Sequence, residues 1–127
     1  MHNKEQYPKI SDAEYEIMKI IWEHKKITAH EVIDHIDPQF NWSDKTIKTM
    51  LNRLIKKRVL DFEKHGNYYS YYPITKEEDY RKIETQSFVQ KIFNGSLNTM
   101  VSSFLRDADL SSDEINELKK ILGEKEE

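Results

Sequence analysis

Apolar residues recur at helical spacing in six stretches of this chain. Ala13, Ile17, Ile20 and Ile21 predict a helix from about Asp12 to His24. Ala29, Val32, Ile33 and Ile36 predict a second, ended by Pro38, and Ile47, Met50, Leu51, Leu54 and Ile55 a third, from about Asp44 to Lys57 behind a Ser43 N-cap. The pairs Ser11 and Glu14, Thr28 and Glu31, Thr75 and Glu78, and Ser111 and Glu114 fit the capping box, in which two side chains satisfy free helix N–H groups reciprocally. Trp22 is expected to pack where the first helix meets its neighbours. Trp42 is expected to act as a hydrophobic staple over the start of the third.

The period then changes. Leu60, Phe62 and Lys64 alternate, His65–Gly66–Asn67 supplies a turn, and tyrosines 68, 69, 71 and 72 favour a strand that Pro73 closes. This predicts a β-hairpin with one tyrosine face packed on the helices. Beyond it the helical period returns over 76–93 (Ile83, Phe88, Val89, Ile92, Phe93), then 96–105 (Leu97, Met100, Val101, Phe104, Leu105) and 112–122 (Ile115, Leu118, Ile121, Leu122). Asn94–Gly95 breaks the first of these. The expected fold is mainly α: an N-terminal winged helix-turn-helix of three helices and a hairpin wing over 1–75, then a helical region over 76–127.

Composition narrows the chemistry. The 127 residues include no cysteine, which removes disulfides, thiolate metal sites and Cys nucleophiles. No apolar run reaches the ~18–20 residues of a membrane helix, and the polar start "MHNKEQYPKI" lacks a signal-peptide core. A cytoplasmic protein is expected. His30 and His35 are five apart and do not share a helix face as a metal pair would; no Gly-rich phosphate loop exists, and no carboxylate stands on an apolar face. No catalytic site, metal or cofactor is expected.

Charge singles out one helix. The net charge is −3, with +1 over residues 1–75 and −4 over 76–127. Yet Ser43–Arg58 holds Lys45, Lys48, Arg53, Lys56, Lys57 and Arg58 against Asp44 alone. On a helical wheel, Lys45, Thr46, Lys48, Thr49, Asn52, Arg53 and Lys56 face away from the apolar side. A solvated face ordinarily mixes Glu with Lys, because opposite charges at i, i+4 stabilise and like charges repel. This one interleaves cations with Thr and Asn, the types that neutralise phosphates and hydrogen-bond bases. It also sits just before the wing, where such folds enter the major groove. These residues are the expected DNA contacts, with Lys64 and His65 at the hairpin tip reaching flanking phosphate or the minor groove.

The segments "ISDAEYEIMKIIW", "WSDKTIKTMLNRLIKK", "YYSYYPI" and "LSSDEINELKKIL" resemble the penicillinase and methicillin-resistance repressors, the BlaI/MecI family, over nearly the whole chain. The resemblance implies a homodimeric repressor whose winged domains read an inverted repeat of the TACA/TGTA type, with no enzyme activity. It makes Lys45, Thr46, Lys48, Thr49 and Arg53 the leading contacts. It places the dimer in the C-terminal helices, through Phe88, Ile92, Leu97, Met100, Val101, Phe104, Leu105, Ile115, Leu118 and Leu122. In that family a membrane-bound β-lactam sensor triggers a cut at an Asn–Phe bond in this region. The aligned pair here is Ser103–Phe104, with Ser in place of Asn. The copper-responsive relatives carry paired cysteines at the C-terminus, which this chain lacks. Two other readings stand beside this one: a winged-helix module that binds proteins, and a repressor that senses a small molecule directly.

Overall fold

The computed structural model describes residues 9–126. In chain order it contains α1 (Asp12–His24), β1 (Ile27–Thr28), α2 (Ala29–His35), α3 (Asp44–Lys56), β2 (Leu60–His65), β3 (Tyr68–Pro73), α4 (Glu77–Phe93), α5 (Leu97–Asp107) and α6 (Ser112–Glu126). A 3-10 turn, Pro38–Phe40, joins α2 to α3. The chain divides between Glu84 and Thr85 into two compact units. Among the described residues no helix is long and apolar enough to cross a membrane.

In the first unit, α1 and α2 open on complete capping boxes, Ser11 with Glu14 and Thr28 with Glu31. The Ser43 hydroxyl accepts the Thr46 N–H to start α3. Ile17, Met18 and Ile21 of α1, Val32 of α2 and Ile47, Leu51 and Leu54 of α3 are fully buried in one cluster with Val59 and Leu60. The three apolar stripes therefore point at one another. Trp42 stacks on Phe40, with centroids 4.5 Å apart, and packs against this core.

Helix α3 ends in a Schellman motif. The Val59 N–H donates to the Leu54 carbonyl and the Arg58 N–H to that of Ile55. Arg58 takes φ 63, the left-handed conformation this motif demands. The chain thereby turns directly into β2.

The sheet has one strand more than the sequence pattern predicts. Its order is β1-β3-β2, all antiparallel, with Ile27 opposite Tyr71 and Thr28 opposite Ser70. Two residues carry no alternation to read. β1 also alters the tyrosine strand: Ser70 and Tyr71 are both buried where β1 pairs with them, while Tyr68 and Tyr69 beyond its reach are exposed. The burial of the strand thus follows its neighbours and not simple alternation.

Two expectations need correction. The capping box at Thr75 and Glu78 does not form, because α4 begins at Glu77 and Thr75 lies outside the cap. Its backbone is committed elsewhere: the N–H faces the Val59 carbonyl and the carbonyl accepts the Trp22 indole N–H at 2.9 Å. Trp22 and Tyr15 pack on Tyr80, which ties the first turns of α4 into this unit. Burial, then the nearby Glu84 carboxylate, pushes the Tyr80 phenol up to about 12.

The second correction is Glu14. This carboxylate is buried, with 2% of the residue exposed, and it accepts a 2.6 Å hydrogen bond from Lys57 Nζ and another from the Ser11 N–H. Lys57 also donates to the Lys9 carbonyl at 2.9 Å. Burial alone would raise the Glu14 pKa, but the bonds from Lys57 and Ser11 outweigh it and hold the group below its ordinary value.

The second unit contains the rest of α4 with α5 and α6. Asn94 and Gly95, both at positive φ, make the turn into α5, which Ser96 caps. Ser111 and Glu114 form the expected capping box for α6. Phe93 meets Phe88 and Phe104 edge-on and Val89 is buried. No residue of α5 or α6 is fully buried, and Ile92, Leu97, Phe104 and Leu122 each stand more than half exposed.

The Glu14–Lys57 pair makes a signed prediction. A carboxylate whose folded pKa is depressed stabilises fully above its unfolded pKa, and the contribution is lost as pH falls through the folded value. Lys57→Met should cost about 3 kcal/mol near pH 7, because it strands a buried charge. Only the Ser11 bonds then oppose burial, so the variant's Glu14 pKa lies above the parent's, and the deficit should shrink as the pH falls through the interval between those two folded values. Urea titrations of both proteins across pH 3–7 measure this; a deficit constant with pH would contradict it.

Candidate nucleic-acid interface

The outward face of α3 is built by what its inward face must do. With Ile47, Met50, Leu51 and Leu54 buried, helical geometry turns Lys45, Thr46, Lys48, Thr49, Asn52, Arg53 and Lys56 to solvent, and all seven are exposed. Lys45, Lys48, Arg53 and Lys56 form no ion pair among the described residues. Lys57 is different: it lies at the helix end, turned back onto Glu14. The cation count read from the sequence therefore overstates the free charge by one.

The wing stands beside this helix. Lys64 and His65 are both exposed at the hairpin tip, where Gly66 adopts φ 62 in the two-residue turn. His65 is partly engaged, stacked on Tyr68 with centroids 5.3 Å apart and with Nε2 3.4 Å from Glu63 Oε1. Glu63 in turn takes Lys26 in a 3.1 Å pair. The free positive charge of the tip thus rests on Lys64.

Between α2, α3 and β3 lies an open groove of about 890 Å3. Lys48 and Asn52 line one wall, Asn67 and Tyr68 the other, and Thr28 and His30 stand at the start of α2. Tyrosine rings and short polar side chains line it, and Lys48 gives it a cation. Sequence reasoning did not single out Thr28, His30 or Tyr68 for this place, since nothing in their spacing joins the head of α2 to the wing. The strand β1 does so: Thr28 is both its last residue and the N-cap of α2, so pairing with Ser70 draws the helix start to β3.

Three helices closed by an antiparallel wing, with the third helix amphipathic and cationic on its free face, define a winged helix-turn-helix protein. The family model described as penicillinase repressor matches residues 10–124. The chain belongs to that family, a group of transcriptional repressors and not a class of enzymes. It is 49% identical to a penicillinase repressor of Bacillus licheniformis over 92% of this chain and 91% of that one. It is 40% identical to the methicillin resistance regulatory protein MecI of Staphylococcus aureus, over 91% and 94%. Among solved structures it resembles the DNA-binding domain of the repressor BlaI, with 50% identity and a TM-score of 0.53 over 58% of this chain and 90% of that one. The monomeric form of Bacillus licheniformis BlaI in complex with the blaP half-operator matches at 50% identity and a TM-score of 0.51, with the same coverage.

The division of α3 predicts opposite outcomes on its two faces. Lys48→Ala and Arg53→Ala should each change folding stability by less than about 0.5 kcal/mol. Leu51→Ala should cost about 3 kcal/mol by leaving a cavity. Thermal and urea unfolding distinguish the two classes.

Proposed function

We propose that this chain is a homodimeric transcriptional repressor that binds an inverted-repeat operator of the TACA/TGTA type and controls a β-lactamase or antibiotic-resistance operon. The observation that carries the reading is the exposed face of α3, on which four cations stand unpaired among Thr46, Thr49 and Asn52. Lys45, Lys48 and Lys56 neutralise phosphates, Arg53 presents its guanidinium fork to a base edge, and the short polar side chains fix register. Lys64 and His65 contact flanking DNA from the wing. The half-operator complex of a domain 50% identical to this one supports the assignment.

In this reading residues 1–75 hold the DNA and residues 76–127 join two copies. The exposed apolar residues Phe88, Ile92, Leu97, Val101, Phe104, Leu105, Ile115 and Leu122, with the half-buried Met100 and Leu118, are covered by the same region of a partner copy. Exposure of this kind on a lone chain marks an interaction surface. Two half-sites then act together, since binding one makes the second contact effectively intramolecular. Release follows a cut at Ser103–Phe104, downstream of a membrane-bound β-lactam sensor. That bond lies inside α5, so a protease must first unwind the helix.

Binding is tested by titrating a TACA/TGTA palindrome and a scrambled duplex at several salt concentrations. The palindrome should bind more tightly, with affinity falling as salt rises. Arg53→Ala should cost about 1–3 kcal/mol and narrow the gap between the duplexes, whereas Lys56→Ala should weaken both alike. Equal affinity for the two duplexes would refute specific recognition.

Assembly is tested by charge insertion. The double variant Val101→Glu, Phe104→Glu should sediment as a monomer and lose at least about tenfold in affinity for the palindrome while keeping its half-site affinity. A dimer that persists would remove α5 from the interface.

A further inference from the structure

His24 and His35 are eleven residues apart in sequence, yet their rings meet with centroids 4.5 Å apart at 65°. His24 sits in the last turn of α1 and His35 in the last turn of α2. His24 Nδ1 lies 2.8 Å from the Ile20 carbonyl oxygen, and His35 Nδ1 lies 2.8 Å from that of Glu31. A carbonyl oxygen only accepts, so each Nδ1 carries a hydrogen and donates it. In the neutral ring this leaves the lone pair on Nε2. The two rings thus share one tautomer, each oriented by its own helix.

We propose that His24 and His35 form a binding site for one divalent first-row metal ion of the Zn2+ or Ni2+ kind. Ligating histidines characteristically donate the second ring N–H to a carbonyl or carboxylate, which fixes the ring and raises its basicity. Both residues here already have that support. The two helices end at the site, and the negative end of each helix dipole favours a cation. The Glu31 carboxylate lies within electrostatic range of both rings. Both histidines are exposed, so an ion enters from solvent without opening the core.

Imidazole selects the class of ion: it suits Zn, Cu and Ni, whereas Mg2+ and Ca2+ require oxygen ligands. Among the described residues no third His, Cys, Asp or Glu completes a cluster. Water fills the remaining positions, so the ion is held more weakly than in a closed four-ligand structural site. The ion would clamp the end of α1 to the end of α2, away from the exposed face of α3.

Isothermal titration of the full chain with ZnCl2 and with NiCl2, beside MgCl2, tests the site. One ion of Zn2+ or Ni2+ per chain should bind, and binding should weaken at least tenfold in His24→Gln and in His35→Gln. His30→Gln is the control, because His30 is exposed and faces Asp34 at 3.7 Å; it should bind as the parent does. Nitrogen-15 ring spectra of the unaltered protein give an independent readout, with the Nε2 signals of His24 and His35 shifting on addition of ZnCl2. Binding that survives both glutamine substitutions, ring signals that ignore ZnCl2, or equal binding of MgCl2 would each overturn the assignment.

Discussion

Glu14 touches the first turn of α1 and the end of α3 at once. Its buried carboxylate accepts at Oε1 both the Ser11 N–H, from the N-cap of α1, and Lys57 Nζ, from the end of α3. A buried carboxylate is tolerated only when its oxygens are bonded, and such bonds are directional. Apolar stripes leave a helix some freedom to slide or roll, since one contact substitutes for another. The Lys57 bond removes that freedom at the end of α3. The angle at which Lys48 and Arg53 leave the domain is therefore set partly by a polar contact on the opposite side of the helix.

Ion pairing elsewhere in the unit sharpens the contrast. Lys26 is taken by Glu63, which also faces His65, and Lys19 pairs with Glu16. Acids thus take up Lys19, Lys26 and Lys57, whereas none pairs with the cations on the outer face of α3. Net charge conceals this, because −3 for the chain says nothing of where the field is positive. A local positive field on an acidic protein accelerates encounter with a polyanion while the rest of the surface discourages indiscriminate sticking.

Much of this architecture is legible in the chain because it is local. Capping residues and apolar stripes lie within a few positions of one another, so α1, α2 and α3 fall close to where the periodicity puts them. The outward set on α3 follows from the same geometry. Tertiary pairings are less readable. Glu14 and Lys57 are 43 positions apart, and β1 is too short to carry a pattern. Thr75 satisfies the capping motif, yet Trp22 and Val59 hold its backbone, and the helix start moves beyond it. His24 and His35 fail every spacing rule for a metal pair because those rules describe one helix, and these residues end two.

Thr28 closes β1, caps α2 and lines the groove beside Lys48. Its side chain must point toward the Glu31 N–H while its backbone pairs with Ser70. Chain length between α1 and α2 is consequently fixed to the residue. An inserted or deleted position there would reverse the strand's facing by one step of the pleat and leave the helix uncapped. Variation in length can be absorbed in the turn at 108–111, where no strand register depends on it, so this short connector behaves as a gauge block for the whole winged unit.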